Sequence, residues 1–176
     1  GNVILAASQS FFDERLLQQM TKVDFERYEK VGERAYAMHN QPDAGMWELR
    51  TRAHIHTSSS LMCWAACDRL ANIAEHLGLQ ERARHWRRLA NEVHEAICSR
   101  AWNGQMDAFA ESFDGEGLDA GLLLMTEVNF LKPSDPRFQS TLAAVEKALR
   151  RGQHMFRYAT ADDFGMPRNA FNICTF

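Results

Sequence analysis

The chain has 176 residues, with 20 Lys and Arg against 23 Asp and Glu, a formal net charge of −3 and 45% hydrophobic residues. Its 11 Phe and 4 Trp exclude intrinsic disorder, and no uncharged apolar run is long enough for a membrane-spanning helix. The near-neutral charge balance gives no electrostatic reason to expect a nucleic-acid partner.

Apolar residues recur with helical periodicity along nearly the whole chain. In chain order the stripes predict helices over 3–20, 28–38, 61–77, 86–97, 118–130 and 142–149, and a seventh that begins near 170. Gly78 is placed to end the third helix, and Asp119 lies near the start of the fifth. Since no segment shows sustained strand alternation, the predicted fold class is all-α.

Short and long connections alternate between these predicted helices. The short ones lie near 22–24, 78–79 and 132–136, whereas long ones of about 17 residues each occupy 40–56, 101–117 and 152–168. Short connections make antiparallel hairpins, so we predict three hairpins with their long connections at the same end. Such an array is either an open helical-repeat stack or part of a closed α/α toroid.

The long connections carry the candidate functional residues. Trp47 and Glu48 lie in the first and Trp102 in the second, while the third contains the pair Arg157 and Tyr158. Aromatic rings stack on the apolar faces of sugars and charged groups hold sugar hydroxyls, so this composition indicates a carbohydrate site. A carboxyl group beside a ring is also placed to have the raised pKa of a general acid.

Motifs in all parts of the chain then resemble one known family. They are Gly-Met-Trp-Glu-Leu-Arg at 45–50, His-Ile-His-Thr-Ser at 54–58, Ala-Trp-Asn at 101–103, Leu-Asp-Ala-Gly at 118–121, Phe-Arg-Tyr at 156–158, Asp-Asp-Phe-Gly at 162–165 and Ala-Phe-Asn-Ile-Cys-Thr-Phe at 170–176. This series resembles glycoside hydrolase family 15, which holds glucoamylases, glucodextranases and some trehalases. The resemblance implies hairpins forming part of an (α/α)6 toroid, and hydrolysis of α-glucosidic bonds with inversion by two carboxyl groups.

The resemblance also implies roles for individual residues. Glu48 would be the general acid that protonates the leaving oxygen, and Trp47 would shape the sugar site. The remaining substrate-binding candidates are Arg50, Arg157, Asp162 and Asp163, with one of the two aspartates supporting the glucose hydroxyls. The implied mechanism requires no metal and no organic cofactor.

The family's general base lies on a Glu further towards the C-terminus than residue 176. We therefore expect residues 1–176 to be a partial catalytic domain, cut at both ends, that contains the acid but not the base and has little activity in isolation. The substrate stays open between trehalose, maltose and longer glucans, because residues 58–60 are serines where family members often carry a basic residue. No signal peptide is visible, and the cellular location stays open.

Plainer interpretations exist for the same residues. Glu48 also fits a loop carboxylate that caps a helix or pairs with Arg50 or Arg52, and Trp47 fits a core residue. Arg157 and a neighbouring aspartate also fit a surface ion pair of small energetic value. The 4 cysteines predict buried free thiols, and the His54 and His56 pair lacks the further ligands of a metal site.

The alternative function is a non-enzymatic module of α-helical hairpins that binds a protein or glycan partner. A partial toroid leaves apolar helix faces uncovered, and such patches drive association. We therefore expect self-association of the isolated chain. The family resemblance implies an α-glucoside or oligosaccharide as the ligand. We expect neither a nucleic-acid nor a membrane partner.

Overall fold

The structure is a computed structural model that describes residues 1–16, 18–49 and 52–175. Its helices are α1 (Asn2–Phe12), α2 (Lys22–Met38), α3 (Thr57–His76), α4 (Gln80–Arg100), α5 (Leu124–Glu127), α6 (Pro136–Leu149) and α7 (Asn172–Thr175), and a 3-10 helix (Ala120–Leu123) precedes α5. Two short antiparallel ribbons pair β1 (Trp102–Asn103) with β2 (Ala108–Phe109) and β3 (Arg150–Arg151) with β4 (His154–Met155). The predicted all-α class is confirmed.

The chain divides into two compact units. The first contains Gly1–Asn40 and Ser60–Glu95, and the second contains Gln41–Ser59 and Ala96–Phe176. The three long connections, which were predicted at 40–56, 101–117 and 152–168, therefore fall almost entirely within the second unit. That they lie at the same end of the hairpins stays a prediction.

The first helix is shorter than predicted. The apolar stripe suggested a helix to residue 20, but α1 ends at Phe12 because Asp13 adopts an extended conformation. The Asp13 carboxylate accepts hydrogen bonds from the backbone N–H of Arg15 at 3.1 Å and from its guanidinium at 2.7 Å. An aspartate whose carboxylate accepts a hydrogen bond from the backbone two residues later offers the chain an alternative to the helix, which explains the early end.

The second helix begins earlier than predicted, so residues 22–24 are helical rather than a connection. The Asp24 carboxylate accepts a hydrogen bond from the backbone N–H of Thr21 at 2.9 Å, which is one half of a capping box. Later in α2, a Cβ at Gly32 would lie 2.2 Å from Leu70 Cδ1 and 2.7 Å from Trp86 Cη2. Gly32 therefore lets the helix backbone approach the buried core of the first unit.

The predicted fifth helix, 118–130, is only partly helical. It consists of the 3-10 helix and the single turn of α5, and Asp119 before them is extended. The cause is tertiary pairing, because the Ala120 N–H donates to the Arg157 carbonyl at 2.9 Å and Asp119 forms a bridge with Tyr158. This backbone contact overrides the helical propensity of the segment.

The other predicted helices are confirmed. Gly78 follows α3 with φ 72°, as expected of a residue that ends a helix. α6 begins with Pro136 in its first turn, and the Asp135 carboxylate caps it through the Arg137 N–H at 2.9 Å. Within the described ranges, no helix combines the length and apolarity needed to cross a membrane.

Candidate functional site

Trp47 and Glu48 stand on a tight turn in the connection between α2 and α3. Asp43 and His54 exchange two backbone hydrogen bonds at 2.9 and 3.2 Å, and these bonds bring the two sides of the connection together. Inside it, Gly45 and Glu48 both have left-handed backbones, with φ 68° and 54°. This conformation is unfavourable for a glutamate, and such local strain concentrates at functional sites. The turn exposes Glu48 and leaves Trp47 half-buried.

The Trp47 ring is held by three side chains of the second unit. Its indole Nε1 donates to Asp119 Oδ2 at 3.0 Å. The ring meets Tyr158 and Phe171 edge-on, with centroids 6.1 and 6.0 Å apart. These contacts join three later parts of the chain, at 119, 158 and 171, to the turn that carries Glu48.

Asp119 is the buried acid of this group, with 3% of its surface exposed. None of the ion pairs among the described residues includes it. Burial raises the pKa of Asp119 to about 7, while the Trp47 hydrogen bond opposes and the Glu111 charge adds to that rise. As the sequence predicts, Asp119 stands at a helix start, and the backbone amides of Gly121 and Leu122 there also lower its pKa.

Arg157, Tyr158 and Asp162 form a second cluster. The Tyr158 hydroxyl donates to Asp162 Oδ2 at 2.6 Å, and an Arg157 guanidinium nitrogen lies 3.4 Å from the same oxygen. The backbone N–H of Phe164 donates to Asp162 Oδ1 at 2.8 Å. The Tyr158 hydroxyl and then the Phe164 amide hold the pKa of Asp162 below its usual value, so this carboxyl is ionised.

The two candidate aspartates are neighbours in one turn. Asp162 contacts both Arg157 and Tyr158, and Asp163 is the half-buried next residue. Arg52 also reaches this loop, since its guanidinium donates to the carbonyl of Ala161. The predicted substrate-binding residue Arg50 lies outside the described residues.

His56, which the sequence offered only as an incomplete metal-ligand pair with His54, lies beside this turn. It is 4% exposed, and its Nε2 has no hydrogen-bond partner among the residues described. Burial lowers the pKa of His56, so the ring is neutral. Its place beside the turn explains Gly45, because a Cβ there would lie 2.8 Å from His56 Cδ2. Across residues 1–16, 18–49 and 52–175, no group of three metal-ligating side chains comes together.

An apolar groove of about 490 Å³ adjoins Trp47. The 3-10 helix and α5, α6 and α7 supply its walls, which include Met46, Gly121, Phe138 and Ile173. Phe109, in contrast, is fully buried and packs edge-on against Trp102 at 5.2 Å. Trp102, the aromatic candidate of the second long connection, therefore packs against a buried ring of that same connection.

Comparison with known proteins decides the family. The sequence profile of glycosyl hydrolases family 15 matches residues 6–176. The chain belongs to glycosyl hydrolase family 15. Similar sequences include a trehalase of Mycobacterium tuberculosis, 36% identical over 139 residues that make up 77% of this chain and 20% of that protein. A trehalase of Thermoplasma volcanium is 28% identical over 136 residues, which cover 77% of this chain and 22% of the relative.

Solved structures that are similar to this family 15 chain have the same fold. A variant glycosidase in complex with glucose matches with a TM-score of 0.68 at 16% identity, over 89% of this chain and 40% of that one. A bacterial glucoamylase complexed with acarbose matches with a TM-score of 0.59 at 13% identity, over 84% and 27%. The predicted assignment of the hairpins to an (α/α)6 toroid is thereby confirmed. The family 15 chain spans about a fifth of the length of the curated relatives it matches.

Proposed function

We propose that this family 15 chain is a segment of an inverting glycosidase that hydrolyses α-glucosidic bonds, with Glu48 as the general acid. One observation carries the proposal. The strained turn exposes Glu48 directly beside Trp47, and that ring is held against Tyr158 of the Arg157–Tyr158–Asp162 cluster. A proton donor, an aromatic ring and an ionised hydroxyl-binding group thus belong to one compact unit.

Each of these groups has a distinct part in the proposed reaction. The Glu48 carboxyl donates its proton to the glycosidic oxygen as the bond to the sugar breaks. Trp47 offers a flat surface to the apolar face of the glucose ring. The guanidinium of Arg157, whose side chain is 39% exposed, donates to sugar hydroxyls, and Asp162, whose side chain is 7% exposed, supports that guanidinium.

An inverting mechanism also needs a carboxylate about 6.5–9.5 Å from the acid to activate the attacking water. We place this general base outside residues 1–176, in accordance with the family resemblance, and the short span of the chain relative to its trehalase relatives supports that placement. The 176-residue chain alone then has little hydrolytic activity. Because the similar curated proteins are named trehalases, trehalose is the first substrate to test.

The test is glucose release from trehalose, maltose and starch. The 176-residue chain is compared with the longest product of the same gene, and each is prepared with Glu48 and as Glu48→Gln. We expect the longer product to release glucose and its Glu48→Gln variant to lose that activity. A rate of glucose release that Glu48→Gln leaves unchanged contradicts the general-acid assignment.

A second candidate is the non-enzymatic module that binds a partner. It is favoured by exposed apolar side chains on α1 and α2, where Val3 and Val23 are 60% and 59% exposed. Saturable binding of a glycan or protein by the longer product without any glucose release would select this candidate.

A further inference from the structure

Trp47 is placed by more than its own turn. Its indole N–H is a donor without acceptor capacity, so the orientation of the ring depends on which acceptor it finds. That acceptor is Asp119 Oδ2, 3.0 Å away. The aromatic contacts with Tyr158 and Phe171 are edge-on and carry no comparable directional bond.

Asp119 is itself fixed by the surrounding chain. Its backbone is bridged to Tyr158, and the Ala120 N–H donates to the Arg157 carbonyl at 2.9 Å. Gly121 lies close against the carboxyl, since a Cβ there would be 3.0 Å from Asp119 Oδ1, and the backbone amides of Gly121 and Leu122 bond to the same carboxyl. The carboxyl oxygen that receives the indole is therefore held in a rigid place beside the Arg157–Tyr158–Asp162 cluster.

Trp47 is the side chain that most favours the charged form of Asp119, and the backbone amides of Gly121 and Leu122 act in the same direction. Asp119 is 3% exposed, and no ion pair among the described residues involves it. Retaining an acid at such a position is costly, because burial disfavours its charged form. The neighbouring charge of Glu111 adds to that cost. The hydrogen bond from Trp47 is the contact that offsets this cost most strongly.

We propose that Asp119 is a positioning residue, which fixes the orientation of the Trp47 ring and thereby of the sugar beside Glu48. This inference rests on the proposed function of Glu48 and Trp47. Asp119 does not touch the reacting atoms. It acts through the indole N–H, and it connects the turn that carries the acid to the loop that carries the hydroxyl-binding groups.

The first test measures the contact without any reaction. In ¹H–¹⁵N spectra of the 176-residue chain, the indole resonance of Trp47 is assigned by its loss in Trp47→Phe. We expect Asp119→Leu to shift this resonance, and Asp119→Asn to shift it less because its amide oxygen still accepts the bond. An unchanged Trp47 resonance in Asp119→Leu overturns the proposal, whatever the activity of Glu48 variants.

A matched control exists in the first unit, where the Trp86 indole donates to Glu29 Oε1 at 2.9 Å. Glu29→Leu should shift the Trp86 resonance and leave that of Trp47 in place. Both pairs are hydrogen bonds from an indole N–H to a carboxylate. Glu29→Leu therefore shows what the loss of such a bond does when it lies away from Glu48.

The second test measures the coupling in the longest product that releases glucose. We expect Asp119→Leu and Trp47→Phe each to lower kcat/KM for trehalose about tenfold, with Asp119→Asn near wild type and Glu29→Leu unchanged. The double variant Asp119→Leu/Trp47→Phe should lose no more than either single variant, because both changes remove the same bond. Losses that multiply in the double variant, or a failure of Asp119→Asn to restore the rate, overturn the positioning role.

Discussion

A Cβ on Gly45 would stand 2.8 Å from Cδ2 and 2.9 Å from Nε2 of the buried His56 ring. The turn that presents Trp47 and Glu48 therefore packs its backbone directly against the imidazole that precedes α3. His56 is neutral and lacks a hydrogen-bond partner for Nε2 among the described residues, so it acts here as a flat packing surface. The conformation of the turn that carries Glu48 depends on this contact as well as on the left-handed backbone of Gly45.

Gly45→Ala should therefore destabilise the chain by more than its backbone conformation alone costs. A left-handed backbone costs an alanine about 1–2 kcal/mol, and the clash with His56 adds to it. Gly152→Ala is the matched control, since Gly152 has φ 63° but nothing within 4 Å of a Cβ. Urea unfolding should show a larger loss for Gly45→Ala than for Gly152→Ala, and equal losses would contradict the packing role of His56.

Glu48→Gln should lower the rate of catalysis strongly without affecting the fold. The side chain is exposed, so we expect the free energy of unfolding to change by less than about 0.5 kcal/mol. In the longer product, kcat should fall by about 10²- to 10⁴-fold, because proton donation to the leaving oxygen is lost. Asp107→Asn is the control, as Asp107 is also exposed and has φ 51°. A comparable loss of kcat in Asp107→Asn would show that the effect does not depend on Glu48 chemistry.

Asp119 makes stability depend on pH in a defined direction. Its pKa rises from 3.8 in the unfolded chain to about 7 in the fold, so between these values only the folded chain holds the proton. Stability from this group is therefore fully present below the lower value, falls as pH rises, and is lost above about pH 7. The contribution of Asp119 to the free energy of unfolding changes by about 4 kcal/mol over this range, at about 1.4 kcal/mol per pKa unit.

Asp119→Asn removes this dependence, and comparison with the unmodified chain isolates it. The variant should gain stability relative to the unmodified chain between pH 5 and pH 8, as measured by urea unfolding at each pH. His56 acts in the opposite direction, because its lowered pKa costs stability as the pH falls below its usual value of 6.5, but it is common to both proteins. A difference that is constant with pH would rule out a raised pKa for Asp119.

The hairpin pattern could be predicted from the sequence because it depends on local periodicity. The stripe on α3 with Gly78 after it, and the Asp135–Pro136 start of α6, are short-range signals that the structure keeps. The end of the first helix and the helicity of 118–130 were predicted wrongly. Hydrogen bonds of a polar side chain decide the first, and contacts between residues distant in sequence decide the second. The segment 118–130 resembles a helix by composition, but pairing of its first residues with 157–158 breaks it, and no local pattern reports that pairing.

The candidate site shows the same division. The family motifs located Trp47, Glu48 and the Arg157–Tyr158 pair, and the structure brings Trp47 and Tyr158 into contact. Asp119 was considered only as a residue near a helix start. Its hydrogen bond with Trp47 joins residues 72 positions apart. The residues next to Asp119 in the sequence therefore do not predict this bond or the burial of the carboxyl.

Tyr158→Phe tests the hydroxyl-binding cluster. The change removes the hydrogen bond that most lowers the pKa of Asp162, so we expect that pKa to rise towards its ordinary value. Stability should fall by about 1 kcal/mol, and KM for trehalose in the longer product should rise about tenfold. Tyr36→Phe is the control, because the Tyr36 hydroxyl donates to the Glu92 carboxylate at 2.5 Å in the first unit. Its KM should stay unchanged, and an equal rise in both variants would contradict a specific role of Tyr158.

Exposed apolar side chains on α1 and α2 lead us to propose that the 176-residue chain associates with itself. Val3 and Val23 are 60% and 59% exposed, and Val31 and Met38 on α2 are each 39% exposed. Burial of such side chains against a second copy removes apolar surface from water at about 25 cal/mol per Å². Light scattering should show a mass that rises with concentration, and Val3→Gln/Val23→Gln should lower it, whereas Glu33→Gln on the same helix α2 should not. A single monomer mass at all concentrations would contradict association through these helices.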